Sequence, residues 1–422
     1  MPRPRTRRHA LRALGTGLVA GLAGCTDDGG TTGTTDTSTE TSTTSRGTGA
    51  GIDERETSDP PGEPALSPSG AWPRPRFDAA NTGANPDGAG LRAGEQYWRL
   101  DAGGSASVTD AGLYNTSRRA QKYADLTRRD PATMAVESST RLVQYGVNGP
   151  PVAAGGRVYV TTFIEVFYLA ADRDAVLWRG PEMDGIQCPP AVADGTVYVS
   201  SGGFKDVPAQ IRAFDAASGE KQWRYDTGSE AKGTPAVAND TVYVAARDGL
   251  HAVDAASGER LFRQSAVSEP WSTPVAAGGA VYAMGGESND SLIAVDAASG
   301  DVRWTTRAPA MGNAPPVASD GRLYVGTESG LAALDPADGS VAAHLGGSGV
   351  PAALVGETLY AIDRGTLRAL DADGDDELWS HETERVQVTD VISQSIGGVA
   401  PVDGAVYVSA ADGFHGFGPV RD

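Results

Sequence analysis

The chain has 422 residues, of which 40% are hydrophobic and 21% are charged, a composition typical of a globular protein. Its formal net charge of −19 argues against nucleic-acid binding, because phosphate contacts need a basic surface. Two cysteines and five histidines leave little material for a disulfide scaffold, a metal cluster or a nucleophilic triad. We therefore expect neither catalytic residues nor a metal site.

The negative charge comes with an unusual choice of basic residues, since the chain has four lysines beside 31 arginines. A carboxylate-rich, lysine-poor surface stays hydrated when salt screens charge repulsion. This balance resembles that of secreted proteins of halophilic archaea. A high-GC codon bias would also replace lysine by arginine, but it does not explain the acidity.

Residues 1–25 have the pattern of an export signal. Arg7-Arg8, followed by Leu11, resembles a twin-arginine signal, and the apolar run after it is too short to span a bilayer. The end of this run, Leu22 to Cys25, resembles a lipobox, in which Cys25 is lipidated and becomes the N-terminus. Chance matches in a Gly/Ala/Arg-rich segment are the alternative. The pattern predicts a lipid-anchored protein at the extracytoplasmic face of the cell membrane.

Residues 26–70 predict a disordered stalk. Twelve threonines and four serines stand among the 33 residues 26–58, and residues 59–70 are rich in proline. Such a stretch cannot bury enough apolar surface to offset the entropy lost on ordering. The segment resembles an O-glycosylated spacer that holds a domain away from a membrane.

One motif repeats from residue 71 to residue 422, with a mean spacing near 42 residues. A tyrosine marks each repeat, at Tyr114, Tyr159, Tyr198, Tyr243, Tyr282, Tyr324, Tyr360 and Tyr407. The sequence Asp-Ala-Ala-Ser-Gly occurs at 215–219, 254–258 and 296–300. Apolar residues alternate with period two between Gly, Asp and Pro, so each unit reads as four short strands. This unit has the size of a propeller blade, whereas the coils of a β-solenoid, the competing architecture, are shorter.

The repeat resembles the pyrroloquinoline-quinone (PQQ)-type β-propeller repeat over about 71–422. In that family an outer-strand tryptophan docks against the Ala-x-Asp-x-x-x-Gly turn of a neighbouring blade. The equivalent positions here are Trp98, Trp178, Trp223, Phe262, Trp304 and Trp379. Trp72-Pro73, followed by residues 77–83, resembles the segment that opens many members.

The resemblance and the eight tyrosines predict an all-β, eight-bladed propeller of four-stranded antiparallel blades. The last repeat, which contains Tyr407, ends without a tryptophan strand, whereas the strand around Trp98 belongs to no other repeat. We expect the N-terminal strand around Trp98 to join the last blade and so remove an open sheet edge. We also expect a monomer.

The resemblance implies two possible functions. The first is a non-catalytic binding or assembly scaffold, with no cofactor, that takes a protein or small ligand on a propeller face. The alternative is a quinoprotein-like oxidoreductase, a relative of PQQ-dependent dehydrogenases, that uses PQQ and calcium. Family dehydrogenases have adjacent cysteines and a Glu/Asn/Asp calcium site, but Cys188 stands alone if Cys25 carries lipid.

The residues 371–376, together with Glu382, have the spacing of a calcium loop. In an EF-hand the sixth position is a glycine that allows a sharp turn, and Asp376 occupies it here. The run also coincides with the aspartate turn of the repeat. An acidic blade turn is therefore the simpler interpretation.

Trp271 lies outside the repeat positions, just before an innermost strand. In propellers this connection faces the mouth of the central channel. Equivalent connections carry Gln187, Cys188, Lys232, Asn313, Asp390 and Gln394. We expect these residues to line a binding pocket with Trp271 as its aromatic anchor. The alternative is that Trp271 caps a gap between blades.

Three sequons for N-glycosylation begin at Asn115, Asn239 and Asn289. All three lie in predicted turns or loops, where an acceptor asparagine is accessible.

Overall fold

The computed structural model describes most of the chain from residue 65 onward. The described residues are 65–101, 104–119, 123–143, 147–163, 166–170, 176–180, 183, 185–203, 207–268, 271–285, 290–308, 311, 314–319, 321–374, 376–388 and 391–421. Their secondary structure is β-strand joined by tight turns. Within these ranges no helix has the length and hydropathy needed to cross a membrane.

The strands follow the repeats in chain order, after two strands that precede the first repeat. These two are β1 (Ala84–Asn85) and β2 (Gly94–Leu100). The first four repeats form β3 (Ala106–Thr109), β4 (Gly112–Arg119), β5 (Tyr123–Arg129), β6 (Val136–Val143), β7 (Val152–Ala154), β8 (Arg157–Thr161), β9 (Val166–Ala170), β10 (Val176–Arg179), β11 (Ala191–Ala193), β12 (Thr196–Ser201), β13 (Gln210–Asp215), β14 (Lys221–Asp226), β15 (Ala236–Ala238), β16 (Thr241–Ala246), β17 (Gly249–Asp254) and β18 (Arg260–Gln264).

The later repeats continue this pattern and include one extra hairpin, formed by β31 and β32. They form β19 (Val275–Ala277), β20 (Ala280–Gly285), β21 (Ser291–Asp296), β22 (Val302–Arg307), β23 (Val317–Ser319), β24 (Arg322–Thr327), β25 (Gly330–Leu334), β26 (Val341–His344), β27 (Val350–Val355), β28 (Thr358–Asp363), β29 (Thr366–Asp371), β30 (Glu377–Glu382), β31 (Val386–Val388), β32 (Val391–Ser393), β33 (Ile396–Val402), β34 (Ala405–Ala410) and β35 (Gly413–Pro419).

The sheets are blades of an all-β propeller. Consecutive strands of a repeat pair antiparallel, so each blade is a meander whose first strand is innermost. The innermost strands contact one another in chain order, and β33 contacts both β27 and β3. Hydrophobic clusters fill the spaces between neighbouring blades, which places the core between sheets.

The antiparallel order gives each blade two different ends. The connections between blades, such as 227–235 and 265–274, lie at one end, which we call the loop face. The turns that join the third and fourth strands, such as 215–219 and 254–258, lie at the other end, which we call the turn face. At the turn face Asp215 accepts hydrogen bonds from the backbone amides of Ala217 and Ser218, at 3.0 and 2.7 Å. This local bonding explains why the Asp-Ala-Ala-Ser-Gly sequence recurs.

The repeat tyrosine and tryptophan join each blade to the next one. The hydroxyl of Tyr198 and the indole Nε1 of Trp223 both donate to the carbonyl of Ala255, at 3.3 and 2.9 Å. A Cβ atom at Gly258, which has φ +74°, would lie 2.7 Å from the Trp223 ring. The predicted docking of the tryptophan against a neighbour's turn is therefore confirmed, and the close approach requires the glycine.

The second strand of the described chain, β2, lies in the last sheet. Strand β2 pairs antiparallel with β35, and the sheet order is β2-β35-β34-β33. The indole of Trp98 packs against Tyr407 and Phe414, with ring centroids 6.1 and 6.0 Å apart. Trp98 thus occupies in this sheet the position that Trp223 has in its own.

The prediction of four-stranded antiparallel blades is confirmed, but the prediction of eight such blades is wrong. In the described residues seven sheets have four strands, and the sheet β27–β30 has a fifth because β1 pairs parallel with β27. An innermost strand has an unpaired backbone edge that faces the channel. Strand β1 pairs with part of the backbone edge of β27. No residue pattern in the repeat predicts this contact.

Two further predictions differ from the structure. Leu66 is 2% exposed and its amide donates to Ala132 O at 3.0 Å, so the folded body begins before the predicted stalk boundary at residue 70. Asn115 lies in strand β4, not in a turn, and is 2% exposed. Its side chain accepts a hydrogen bond from Arg129 Nε, at 3.3 Å. Asn239 is exposed in the β15–β16 turn, and Asn289 lies outside the described residues.

Candidate functional site

The central channel contains a segment of the protein itself, residues 72–85, which we call the plug. Its backbone carbonyls accept hydrogen bonds from the amides of the innermost strands. The pairs are Pro73 with Ala153, Ala79 with Val237, Ala80 with Ala276, Thr82 with Ala318 and Gly83 with Leu354, at 2.7, 2.7, 2.9, 2.9 and 2.9 Å. The plug therefore satisfies backbone groups that would otherwise face the channel unpaired.

Two side chains of the plug each bond to two blades. Asn81 is 3% exposed, and its Nδ2 donates to the carbonyls of Pro235 and Pro274, at 3.0 and 3.1 Å. The guanidinium of Arg76 donates to Ala352 O at 3.1 Å and also to Pro316 O. Each side chain thus bridges two different blades, so the plug ties blades together across the channel.

The plug brings two cations into a poorly solvated place. Burial lowers the pKa of Arg76 to about 10, although the nearby Asp78 opposes this shift. Burial also lowers the pKa of Arg74, whose Nη1 donates to Val192 O at 2.8 Å. Both arginines remain charged at neutral pH. Asp78, the acidic residue of the plug, accepts a hydrogen bond from the Thr82 amide at 3.0 Å.

A cavity of about 260 Å³ remains in the channel on the loop-face side of the plug. Arg76 contributes to its wall, and most other lining residues are apolar, such as Pro150, Pro315, Val350 and Val399. Among the described residues that line it, none carries a carboxylate or a carboxamide. The cavity can hold a small apolar group beside one guanidinium, but it offers no acidic ligands to a cation.

The predicted channel-mouth residues that the structure describes lie outside the lining of this cavity. These five are Gln187, Cys188, Lys232, Trp271 and Gln394. Asn313 and Asp390 lie outside the described residues.

Two of these five residues have structural roles that explain their positions. Cys188 is buried, its Sγ lies 3.2 Å from Ser200 Oγ, and burial raises the pKa of its thiol to about 11. Gln394 Nε2 donates to Thr383 O at 2.7 Å and to Glu382 at 3.0 Å. Neither side chain is arranged as a reactive group.

Lys232 and Trp271 do meet, on neighbouring connections of the loop face. The ammonium of Lys232 lies 4.7 Å from the centre of the Trp271 ring, which is a cation–π contact. Lys232 also pairs with Glu230 at 3.0 Å, and Arg247 and Lys232 together hold the pKa of Glu230 below its usual value. Trp271 is 44% exposed, so it does not cap a closed gap between blades.

The described residues of the acidic run 371–376 form the aspartate turn of their repeat. Asp371 accepts from the amide of Asp373 at 3.0 Å and pairs with Arg92 at 2.6 Å. In the part of the chain that the structure describes, no group of three or more His, Cys, Asp or Glu side chains could hold a metal ion. Asp371 instead works as the turn residue of its repeat.

The plug is the element that sequence reasoning missed as a site. Trp72 is fully buried, and its backbone bridges to Val108, which brings the following residues into the channel. The available signals were the two arginines beside prolines and the residues that tolerate positive φ, Asn81 (φ 60°) and Gly83 (φ 71°). These signals indicate a special backbone path but not its location.

A protein-family model described as "Outer membrane protein assembly factor BamB" matches the chain at residues 89–233 and 207–349. Together these ranges span more than half of the chain. No curated protein sequence gives a match.

Solved structures share the fold at low sequence identity. BamB from Moraxella catarrhalis is 16% identical, with a TM-score of 0.58 over 78% of this chain and 98% of that one. The computationally designed Ika8 protein is 12% identical, with a TM-score of 0.63 over 79% of this chain and 100% of its own. Quinohemoprotein alcohol dehydrogenase from Comamonas testosteroni is 14% identical, with a TM-score of 0.61 over 84% of this chain and 82% of that enzyme. At these identities the likeness shows the fold alone.

Proposed function

Because the chain belongs to the family described as "Outer membrane protein assembly factor BamB", we propose that it is a non-catalytic scaffold that binds a protein partner on its loop face. The observation that carries this proposal is the plug. Residues 72–85 bond to innermost strands around the channel, and the cavity that described residues line beside them has about 260 Å³. Pockets for small ligands commonly have about 300–1,000 Å³. Because the plug occupies the channel, the faces of the propeller are the surfaces available for binding.

The Lys232–Trp271 pair is the proposed anchor on the loop face. Exposed aromatic side chains concentrate binding energy at protein interfaces, and tryptophan is among the residues most enriched there. Glu230 and Arg247 border the pair and offer polar contacts of both signs. This mixture of one aromatic group and surrounding charges suits a folded protein surface.

The residues present do not fit PQQ with calcium, which the alternative function would need. The cavity that described residues line in the channel has only about 260 Å³, its described lining has no carboxylate or amide ligand, and Cys188 is buried against Ser200. We therefore derive no step through that cofactor. The fold shared with an alcohol dehydrogenase does not by itself carry the chemistry.

The proposal can be tested by cross-linking the full chain to its partner in native membranes and measuring how much of the partner is recovered. Trp271→Ala should reduce the recovery of a cross-linked partner by about tenfold or more, as truncation of an aromatic hot spot does. Leu261→Ala is the matched control, because Leu261 is 55% exposed but lies in the outermost strand β18. Equal recovery with both variants, or loss with Leu261→Ala alone, would contradict the proposed face.

We further propose that the protein is held at the extracytoplasmic side of the membrane by lipid on Cys25. The family description and the export pattern around Arg7 and Arg8 support this location. Replacing both arginines by lysine should leave precursor in the cytoplasm, and Cys25→Ser should release the protein from membranes. Wild-type distribution of both variants would contradict this localisation.

A further inference from the structure

A second cavity, of about 300 Å³, lies at the turn face between the sheets β19–β22 and β23–β26. It is separate from the channel and from the Lys232–Trp271 pair. Its lining residues include Tyr282, Arg303, Ala318, Arg322, Leu323 and Pro336. Polar donors and apolar surface therefore face the same small space.

Pro336, which lines the cavity, distinguishes this repeat from its neighbours. In neighbouring repeats the residue after the turn aspartate is alanine, and its amide ties this turn to the turn between the first two strands. Examples are Ala255 N to Asp240 O at 2.9 Å and Ala372 N to Glu357 O at 2.8 Å. Proline has no amide hydrogen, so this repeat lacks the tie.

Tyr282 is the polar group that this arrangement leaves unpartnered. The equivalent tyrosines Tyr198 and Tyr243 donate to a carbonyl of the next blade, at 3.3 and 3.1 Å. The equivalent carbonyl here, on Pro336, accepts from Trp304 Nε1 at 2.9 Å. Tyr282 is 2% exposed, and in the described part of the chain its hydroxyl has no hydrogen-bond partner.

Two arginines lie at the rim, and each pairs with an aspartate. Arg303 donates through Nη2 to Gly279 O and Asp296, at 2.7 and 2.8 Å, and through Nε to Asp296. Arg322 donates through Nη1 to Ala372 O at 3.2 Å and also to Asp373. A guanidinium has five N–H donors, so Arg303 keeps both hydrogens of Nη1 for another acceptor.

We propose that this cavity binds a small carboxylate-bearing molecule. Its carboxylate accepts hydrogen bonds from the Tyr282 hydroxyl and from Arg303 Nη1, because both are donors without an acceptor among the described residues. Its short apolar part packs against Ala318, Leu323 and Pro336. The site is independent of the scaffold function, since it lies at the turn face and not at the loop face.

The test is isothermal titration of the full chain with acetate, butyrate and benzoate, and with benzamide as the uncharged match of benzoate. Wild-type protein should bind at least one of the carboxylates and bind benzamide much more weakly. Tyr282→Phe should weaken carboxylate binding by roughly tenfold or more, the effect of losing a hydrogen bond to a charged group.

Tyr243→Phe is the matched control, because Tyr243 occupies the same repeat position but donates to Ala297 O. It should bind carboxylates as wild type does but melt at a lower temperature, whereas Tyr282→Phe should keep the wild-type melting temperature. The proposal is overturned if no carboxylate binds, if benzamide binds as well as benzoate, or if Tyr282→Phe binds like wild type.

Discussion

The indole of Trp98 lies directly over the backbone of Gly416, its neighbour across strands β2 and β35. A Cβ atom at Gly416 would stand 2.2 Å from Trp98 Cζ2, so only glycine fits beneath the ring. The contact joins β2, a strand that precedes the first repeat, to the last strand of the described chain. It places the burial of a tryptophan at the seam between the two ends of the domain.

Trp98→Ala should destabilise the domain strongly. Trp98 is 4% exposed, and truncating a buried tryptophan to alanine costs about 3–5 kcal/mol. Trp223→Ala should cost a similar amount, because Trp223 holds the same position in its own sheet. Chemical unfolding of the purified protein measures both. A small loss for Trp98→Ala beside a large loss for Trp223→Ala would show that β2 does not hold the seam.

Replacement by phenylalanine should destabilise the protein to different extents at Trp98 and Trp223. Trp223 Nε1 donates to Ala255 O, whereas Trp98 Nε1 is buried without a partner in the described residues. Trp223→Phe therefore loses a hydrogen bond worth about 1 kcal/mol that Trp98→Phe does not lose. Equal losses in the same unfolding measurement would contradict this difference.

Asn81→Ala should destabilise the protein by leaving two buried carbonyls unsatisfied, at about 1–3 kcal/mol for each buried group that loses its partner. Asn239→Ala is the control, because Asn239 also has positive φ (49°) but is exposed in a turn. The comparison cancels the backbone cost that both substitutions share. If the two variants unfold alike in denaturant, Asn81 does not fix the plug.

The repeat and its contacts were predictable because side chains carry them. Tyr198, Trp223 and Gly258 belong to a recurring pattern in which the tyrosine and tryptophan of one blade contact the glycine-containing turn of the next. A pattern of this kind predicts blades, their order and the faces of their strands. Any sequence with these residues at this spacing has few other ways to bury them.

The plug was not predictable because backbone atoms carry most of its contacts. The carbonyls of Ala79 and Ala80 accept hydrogen bonds from two innermost strands. Every residue has a backbone carbonyl, so such contacts produce no recognisable sequence pattern. The fifth strand, β1, has the same origin. The loop face was predictable only in part: Lys232 and Trp271 meet because their connections are neighbours, whereas Cys188 points into the protein.

Stability should decrease as the pH falls below about 6.5, the ordinary pKa of histidine. Burial lowers the pKa of His251, although Asp248 opposes the shift, so the unfolded chain binds a proton more readily and gains as pH drops. Asp248 adds a second pH range over which the stability changes. Burial raises its pKa, but hydrogen bonds from Ser229, His251 and Arg263 outweigh burial and bring it to about 2.

The contribution of Asp248 is thus present above about pH 3.9 and is lost as the pH falls toward about 2. Melting temperatures measured across both pH ranges test the two contributions. His251→Gln should reduce the change in melting temperature over the upper pH range. The exposed His344 supplies the control, because His344→Gln should leave that change as it is in the wild type. A wild-type change over the upper pH range in His251→Gln would refute the assignment.

The melting temperature should rise between low and molar salt. The chain has a net charge of −19, and salt screens the repulsion that opposes compaction. A neutral propeller measured in parallel corrects for the general effect of salt on hydrophobic burial. A curve no steeper than that of the neutral protein would count against the halophilic interpretation.

The most direct test of a scaffold with a filled channel is reconstitution of the purified protein with PQQ and calcium, followed by absorption spectroscopy and dye-linked alcohol oxidation. A PQQ-dependent dehydrogenase treated in the same way shows that the assay detects the cofactor. Our account predicts that PQQ remains unbound and that no dye is reduced. Stoichiometric PQQ binding with dye reduction that requires both PQQ and calcium would contradict it.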